Sequence, residues 1–256
     1  MNKYLIIPIT IIIIVFIGVI TSLFKKDNAN NMIDMKFDNI SELDIDTKSI
    51  TINIQNSDEF RVKTDCNCIS IKNENGKLEI EENKYIVDKM RKIVYLYIPS
   101  NTIFNDVDID IKSGLLEIDN LNTKEFEIDN MSASIKINNL NVSSNFDMDN
   151  TSGTIDIENS NINNIDTNIK SGIININSLL TGNNHIELKS GTVNLNLKGD
   201  DYRFKTTRIS GIISINEERE NVNSNGNTFI DIEVISGAVN VLTKWQKYEI
   251  NWHNMS

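Results

Sequence analysis

Carboxylates recur at fixed intervals through the second half of the chain, and carboxylate pairs are the groups from which calcium sites and glycoside-cleaving acid–base pairs are built. One set is Asp110, Asp129, Asp149, Asn168, Glu187, Thr207 and Glu233. A second set, two residues earlier in each copy, is Asp108, Glu127, Asp147, Asp166, His185, Lys205 and Asp231. If the copies stack, like charges lie directly opposite one another and repel, so something has to offset them. Three readings stand open. Solvent and counter-ions screen the charges; calcium bridges Asp108, Asp110, Glu127, Asp129, Asp147 and Asp149; or a basic partner docks on them. The neighbouring Lys112, Lys170 and Lys189 offer an internal counter-charge and weaken the calcium reading.

For catalysis the residues are poorly arranged. The two histidines, His185 and His253, suggest no nucleophile–base pair, and the acids are spread evenly over the copies instead of gathered in one cleft. A polysaccharide-cleaving enzyme is therefore the remote reading, and no catalytic residue is assigned. Glycine-rich phosphate loops, metal-ligand clusters and basic patches are missing from the sequence. A formal net charge of −11 argues against nucleic acid as a partner, and no cofactor is implied apart from calcium. Cys66 and Cys68 fall on one strand face, where direct disulfide geometry is poor, so buried thiols are expected.

The elements that position these residues announce themselves through a repeat. Its marker is a Ser-Gly pair: Ser113-Gly114, Ser152-Gly153, Ser171-Gly172, Ser190-Gly191, Ser210-Gly211 and Ser236-Gly237, with Ser132-Ala133 filling the gap. Successive markers are 19 or 20 residues apart until the last, which follows after 26; the extra residues, about 217–227, are polar and read as a loop. Aliphatic residues fall two, four and six residues before the Ser, and three and five after it, as in Val107, Ile109 and Ile111, then Leu116 and Ile118. Each copy is thus two short strands with period-two alternation. The inward phase jumps by an odd number across the marker, so the chain must bend there. Gly supplies the backbone freedom for a corner and Ser a local hydrogen bond.

A single copy cannot bury its aliphatic face, whereas stacked copies share a core and pair strands with the rungs on either side. The expected fold is an all-β, single-domain β-solenoid of 19–20-residue Ser-Gly rungs, with regular repeats over residues 107–242. The outward column six residues after the Ser (Asp119, Asn138, Glu158, Asn177, Asn196, Asn216) suits an amide ladder. Upstream, residues 40–106 form N-terminal rungs and an irregular entry region: Lys48-Ser49 stands where a marker belongs, Asn75-Gly76 signals a hairpin, and a strand ends at Pro99. Residues 243–256 carry Trp245, Tyr248 and Trp252 and are expected to cap the open end.

Residues 5–24 are uncharged and long enough to cross a membrane as one helix, within an anchor of residues 1–26 followed by a linker over 27–39. The run ends in Lys25-Lys26 without a small-residue cleavage site. Lysines flank it on both sides, so charge alone sets no orientation.

The run VYLYIP at residues 94–99, followed by VDIDIKSGLLEIDNL and by copies such as FDMDNTSGTIDIE and IELKSGTVNLNL, resembles a bacterial putative-adhesin family, a domain of unknown function. The resemblance covers residues 40–242. Departures from its pattern are Ala133, Arg208 at an inward position, and the long insertion before the last rung. It implies a β-solenoid held outside the cytoplasm by a plasma-membrane anchor in the envelope of a Gram-positive bacterium, and it transfers no catalytic residue. The expected function is a non-enzymatic surface adhesin or protein-interaction platform with a protein or cell-wall partner. The alternative is an envelope-stress sensor acting through a membrane partner.

Overall fold

A computed structural model describes residues 32–83, 92–199, 201–216, 218–219 and 226–243. Residues 1–31 and residues 32–256 are separate units, and the described strands all belong to the second. Every regular element among the described residues is a strand, as the aliphatic, β-branched alternation requires.

Through the regular repeats, from Phe104 to Leu197, strands pair in parallel with the strand two places on. The segments before the Ser-Gly corner, Phe104–Ile111, Leu121–Asn130, Leu140–Asn150, Ile165–Ile169 and Asn183–Leu188, form one ladder. The segments after it, Leu115–Ile118, Ser134–Asn138, Thr154–Asn163, Ile173–Thr181 and Thr192–Leu197, form another. Each rung places like on like: Phe126 faces Phe146 in register, with ring centroids 4.9 Å apart. The predicted inward residues make one continuous core, with Val107, Ile109, Leu116, Ile128, Ile135, Ile155, Ile174, Val193 and Val239 all fully buried.

The corners explain the marker. Gly172 and Gly191 have φ of 111° and 104°, in the left-handed region, and a Cβ on either would run into the carbonyl oxygen of the preceding corner glycine. Conformation and space both demand Gly. Ala133 stays out of the left-handed region; the buried Asn130 side chain accepts from its N–H (2.8 Å) and donates to its carbonyl (3.3 Å). The serine hydroxyls of Ser113 and Ser132 donate to the Lys48 and Lys112 carbonyls of adjacent rungs.

Four features depart from expectation. First, the inner rungs have a third short wall: Leu121, Asn122 and Thr123 stack on Leu140, Asn141 and Val142, and Asn161 and Ile162 stack on Leu179 and Leu180. Asn139 and Asn159, at φ of 55° and 52°, turn the chain into it. Its inward residues break period two at a register shift, which hides them from an alternation search. Second, rung order is not chain order at either end. Thr228–Val234 lies between Asn183–Leu188 and Tyr202–Arg208, and Glu42–Thr47 lies between Lys77–Glu82 and Phe104–Ile111.

Third, the amide ladder runs four residues after the Ser, not six: Asn175 donates to Asp156 (2.6 Å), Asn194 to Asn175 (2.7 Å) and Asn240 to Asn194 (2.9 Å). These side chains stand mid-strand in strict register, whereas at the later position Asp119 and Asn216 lie beyond the strand ends. Fourth, Cys66 and Cys68 are joined in a disulfide. They occupy a turn between Phe60–Thr64 and Ile69–Glu74, so the strand geometry that would hold the two sulfurs apart does not apply. Both are buried.

The hairpin at Asn75-Gly76 joins Ile69–Glu74 to Lys77–Glu82, and Ile93–Pro99 is a full rung strand. Residues 33–37, inside the span read as linker, form the strand Ile33–Phe37. The insertion holds a two-residue strand, Glu218–Arg219, against Ser214 and Ile215. The anchor at 5–24 and the aromatic tail lie outside the described residues. Among the described residues, no helix is long and apolar enough to cross a membrane.

Candidate interaction surface

Parallel pairing in strict register converts sequence spacing into columns of side chains. On the wall before the corner, Asp46, Asp110, Asp129, Asp149, Asn168, Glu187 and Glu233 face one another rung by rung, and so do Asp44, Asp108, Glu127, Asp147, Asp166, His185 and Asp231. Both predicted columns are therefore brought together. They are longer than the repeat suggested, because Asp44 and Asp46 precede Ser49 by the same five and three residues. A third column, Glu42, Asp106 and Glu125, flanks them. His185 sits between Asp166 and Asp231, and His253 lies outside the described residues.

Partial burial and mutual repulsion set the electrostatics. The carboxyls of Asp106, Asp108, Asp110, Glu127 and Asp147 are all pushed above the usual carboxylate range. Loss of hydration is the larger cause and neighbouring carboxylates the next: Asp129 for Asp110, Asp44 for Asp108, Asp166 for Asp147. Asp46 Oδ1 is buried without a hydrogen-bond partner. Lysines relieve the two ends: Lys77 pairs with Asp44 at 2.7 Å and Lys205 with Asp231 at 2.6 Å. Lys189 reaches Glu187 at 3.5 Å. Along the corner edge, Lys112, Lys170 and Lys189 border a trough of about 410 Å³ whose floor includes Asp110, Asp129 and Asp149. Among the described residues no group of three or more His, Cys, Asp or Glu side chains is placed to hold a metal ion; the acids stand in columns, each oriented outward.

One functional-looking residue escaped the sequence reading. Glu82 is fully buried; its carboxylate accepts from the N–H groups of Lys48 and Ser49 at 2.6 and 2.8 Å and from the Ser49 hydroxyl at 2.8 Å. Elsewhere those corner N–H groups bond to carbonyls of the adjacent rung, as Met131 does to Ile111 and Ser132 to Lys112. The Lys48-Ser49 corner lacks that rung, because the chain leaves the ladder at Glu82. The side chain replaces the absent carbonyls, a structural role. Only the marker-like Lys48-Ser49 hinted at a need for it.

Solved structures similar to this chain are distant from it in sequence. A putative cell adhesion protein from Clostridium sporogenes is 14% identical, with 84% of this chain and 99% of that one covered and a TM-score of 0.38. Putative adhesins from Parabacteroides distasonis and Parabacteroides merdae are 17% and 15% identical, with 82% of this chain and 96% and 95% of theirs covered, at TM-scores of 0.42 and 0.43. No curated protein matches. The family model described as Toastrack DUF4097 matches residues 40–254, nearly the whole solenoid with its corners and its entry strand, and the chain belongs to that family.

Proposed function

We propose that the protein is a non-enzymatic adhesin or interaction platform of the cell envelope, tethered to the plasma membrane through residues 5–24 with its solenoid outside the cytoplasm. The observation that supports this reading is the in-register acidic wall. Carboxylates on successive rungs, Asp46, Asp110, Asp129 and Asp149, form an extended ladder instead of converging on one reacting centre, and a ladder of one sign attracts an extended partner of the other. The positive charge of a basic surface docked against it offsets the carboxylate repulsion, the second cause of the raised carboxyls.

The test is protease accessibility of the solenoid on intact cells, read through loss of an epitope at the C-terminus, with lysed cells as control. Loss from intact cells is expected. Protection until lysis sinks the envelope reading and leaves a cytoplasmic scaffold.

A further inference from the structure

The wall after the corner differs in chemistry from the acidic one. The strand Leu115–Ile118 is only four residues long, while Thr51–Ser57 and Ser134–Asn138 on either side run further. The early exit of the chain at Asp119 opens a groove of about 460 Å³ across four rungs, from Asn53 to Glu158, within the range of small-ligand sites. The amides of Asn53, Gln55 and Asn138 line it, each carrying both donors and an acceptor. Glu117, Asp119, Asp156 and Glu158 add acceptors, and Lys136 is the one cation among the lining residues. Part of this charge is already engaged, since Asn53 donates to Glu117 at 3.1 Å and Asn175 to Asp156 at 2.6 Å.

One rung beyond Asn53 and Gln55, in register with them, stand Tyr95 and Tyr97. Both point outward and are half-buried, with rings 6.3 Å apart and inclined by 18°. The two near-parallel rings form an aromatic shelf beside a groove rich in bidentate polar groups. Polarised C–H bonds on one face of a pyranose ring suit the negative face of such rings, while its hydroxyls suit amides and carboxylates that can each donate or accept in pairs. A polyanion is repelled by the excess of carboxylates. A basic peptide finds a stronger field on the opposite wall, where, among the described residues, no aromatic shelf accompanies the acids.

We infer that this groove, with the Tyr95–Tyr97 shelf, binds an uncharged glycan lying across the rungs. The inference deepens the adhesin reading and rests on it for its biological setting. The full-length chain in detergent micelles is titrated calorimetrically with a panel of neutral hexose and N-acetylhexosamine tetramers, with polygalacturonate oligomers and pentalysine as charged probes. Binding of at least one neutral tetramer is expected, weakened about tenfold or more by Tyr95→Ala/Tyr97→Ala, as for removal of an anchoring aromatic. Asn138→Ala, at a half-buried position outside the core where Oδ1 accepts from Asn159 at 3.0 Å, weakens it too, and Asp129→Asn/Asp149→Asn on the other wall leaves it unchanged. The inference is overturned by silence from every neutral tetramer, by binding indifferent to both groove variants, or by binding of pentalysine alone that Glu117→Gln abolishes. Silence with a protease-accessible solenoid sinks the glycan site only, whereas protease protection sinks the envelope reading and leaves the calorimetry untouched.

Discussion

At the scale of single residues, corner glycines and Glu82 do what no core side chain can: they let the chain turn and satisfy the backbone where it turns. Gly172 combines a left-handed backbone with a carbonyl oxygen where its Cβ would go, while Gly199 is also left-handed (φ 102°) but meets nothing closer than 3.8 Å. Gly172→Ala is therefore expected to cost more than about 2 kcal/mol and Gly199→Ala only about 1 kcal/mol, measured by urea denaturation of the same protein. Equal costs would mean that backbone conformation alone, and not rung-to-rung contact, selects glycine. Glu82→Ala leaves three corner donors without their acceptor and is expected to cost on the order of 3 kcal/mol, since hydrogen bonds to a buried charge are worth about 1.5–3 kcal/mol each before relaxation. The glycines were legible from their spacing. Glu82 was not, because its partners stand 33 and 34 residues away and nothing local marks a glutamate that replaces a missing rung.

At the scale of elements, the acidic columns make the wall before the corner less stable than its packing allows. Asp129 faces Asp110 on one side and Asp149 on the other, so Asp129→Asn is expected to stabilise by about 0.5 kcal/mol by removing the one charge that faces two like charges. A loss of stability would reveal a bound counter-charge. The pH dependence follows from the raised carboxyls of Asp106, Asp108, Asp110, Glu127 and Asp147. Folding makes these groups hold protons more tightly, so their contribution is fully present below the unfolded value near 4 and is lost as pH rises through the folded values. The melting temperature is expected to rise as pH falls from neutral toward the unfolded value near 4. Opposing groups are the carboxyls held low: Asp34 by its hydrogen bond from Arg61, Glu59 by that from Lys36, and Asp201 by those from Asn227. Their stabilisation disappears only on further acidification. Calcium bridging makes a separate prediction: at constant ionic strength and neutral pH, calcium chloride raises the melting temperature beyond sodium chloride, and Glu127→Gln/Asp129→Asn abolishes the difference. Equal effects of the two salts would leave screening as the whole account.

At the scale of the whole solenoid, the exchange of rung order at both ends matters most. The last strands in the chain, Thr228–Val234 and Ala238–Thr243, are interior rungs, while the earlier Tyr202–Arg208 is the outer one. Amide hydrogen exchange is accordingly expected to be slower in Thr228–Val234 than in Tyr202–Arg208, and slower in Glu42–Thr47 than in Ile69–Glu74, which pairs only with Lys77–Glu82 among the described strands, because interior strands open only with their neighbours. Protection that declined steadily with chain position would contradict this stacking. Arg208 fits the same picture: an inward-phase arginine is tolerated because the outer rung leaves it exposed.

The sequence by itself determined the all-β class, the rung length, the Ser-Gly corners and the identity of nearly every inward residue, because period-two alternation and tight turns are written within a few residues of where they act. It also placed the acidic residues on one wall, since a constant offset from the corner becomes a column once copies stack. Only the tertiary structure decided which copies are neighbours. Aliphatic alternation is the same in every rung, so Thr228–Val234 could pair equally well with several others by local criteria, and the choice is made by the connections and by which corners find their hydrogen-bond partners. The same non-local pairing seats Glu82 under Lys48-Ser49 and brings Tyr95 and Tyr97 beside Asn53 and Gln55 from more than forty residues away. Those contacts are absent from any short window of sequence because each depends on two distant segments becoming neighbours.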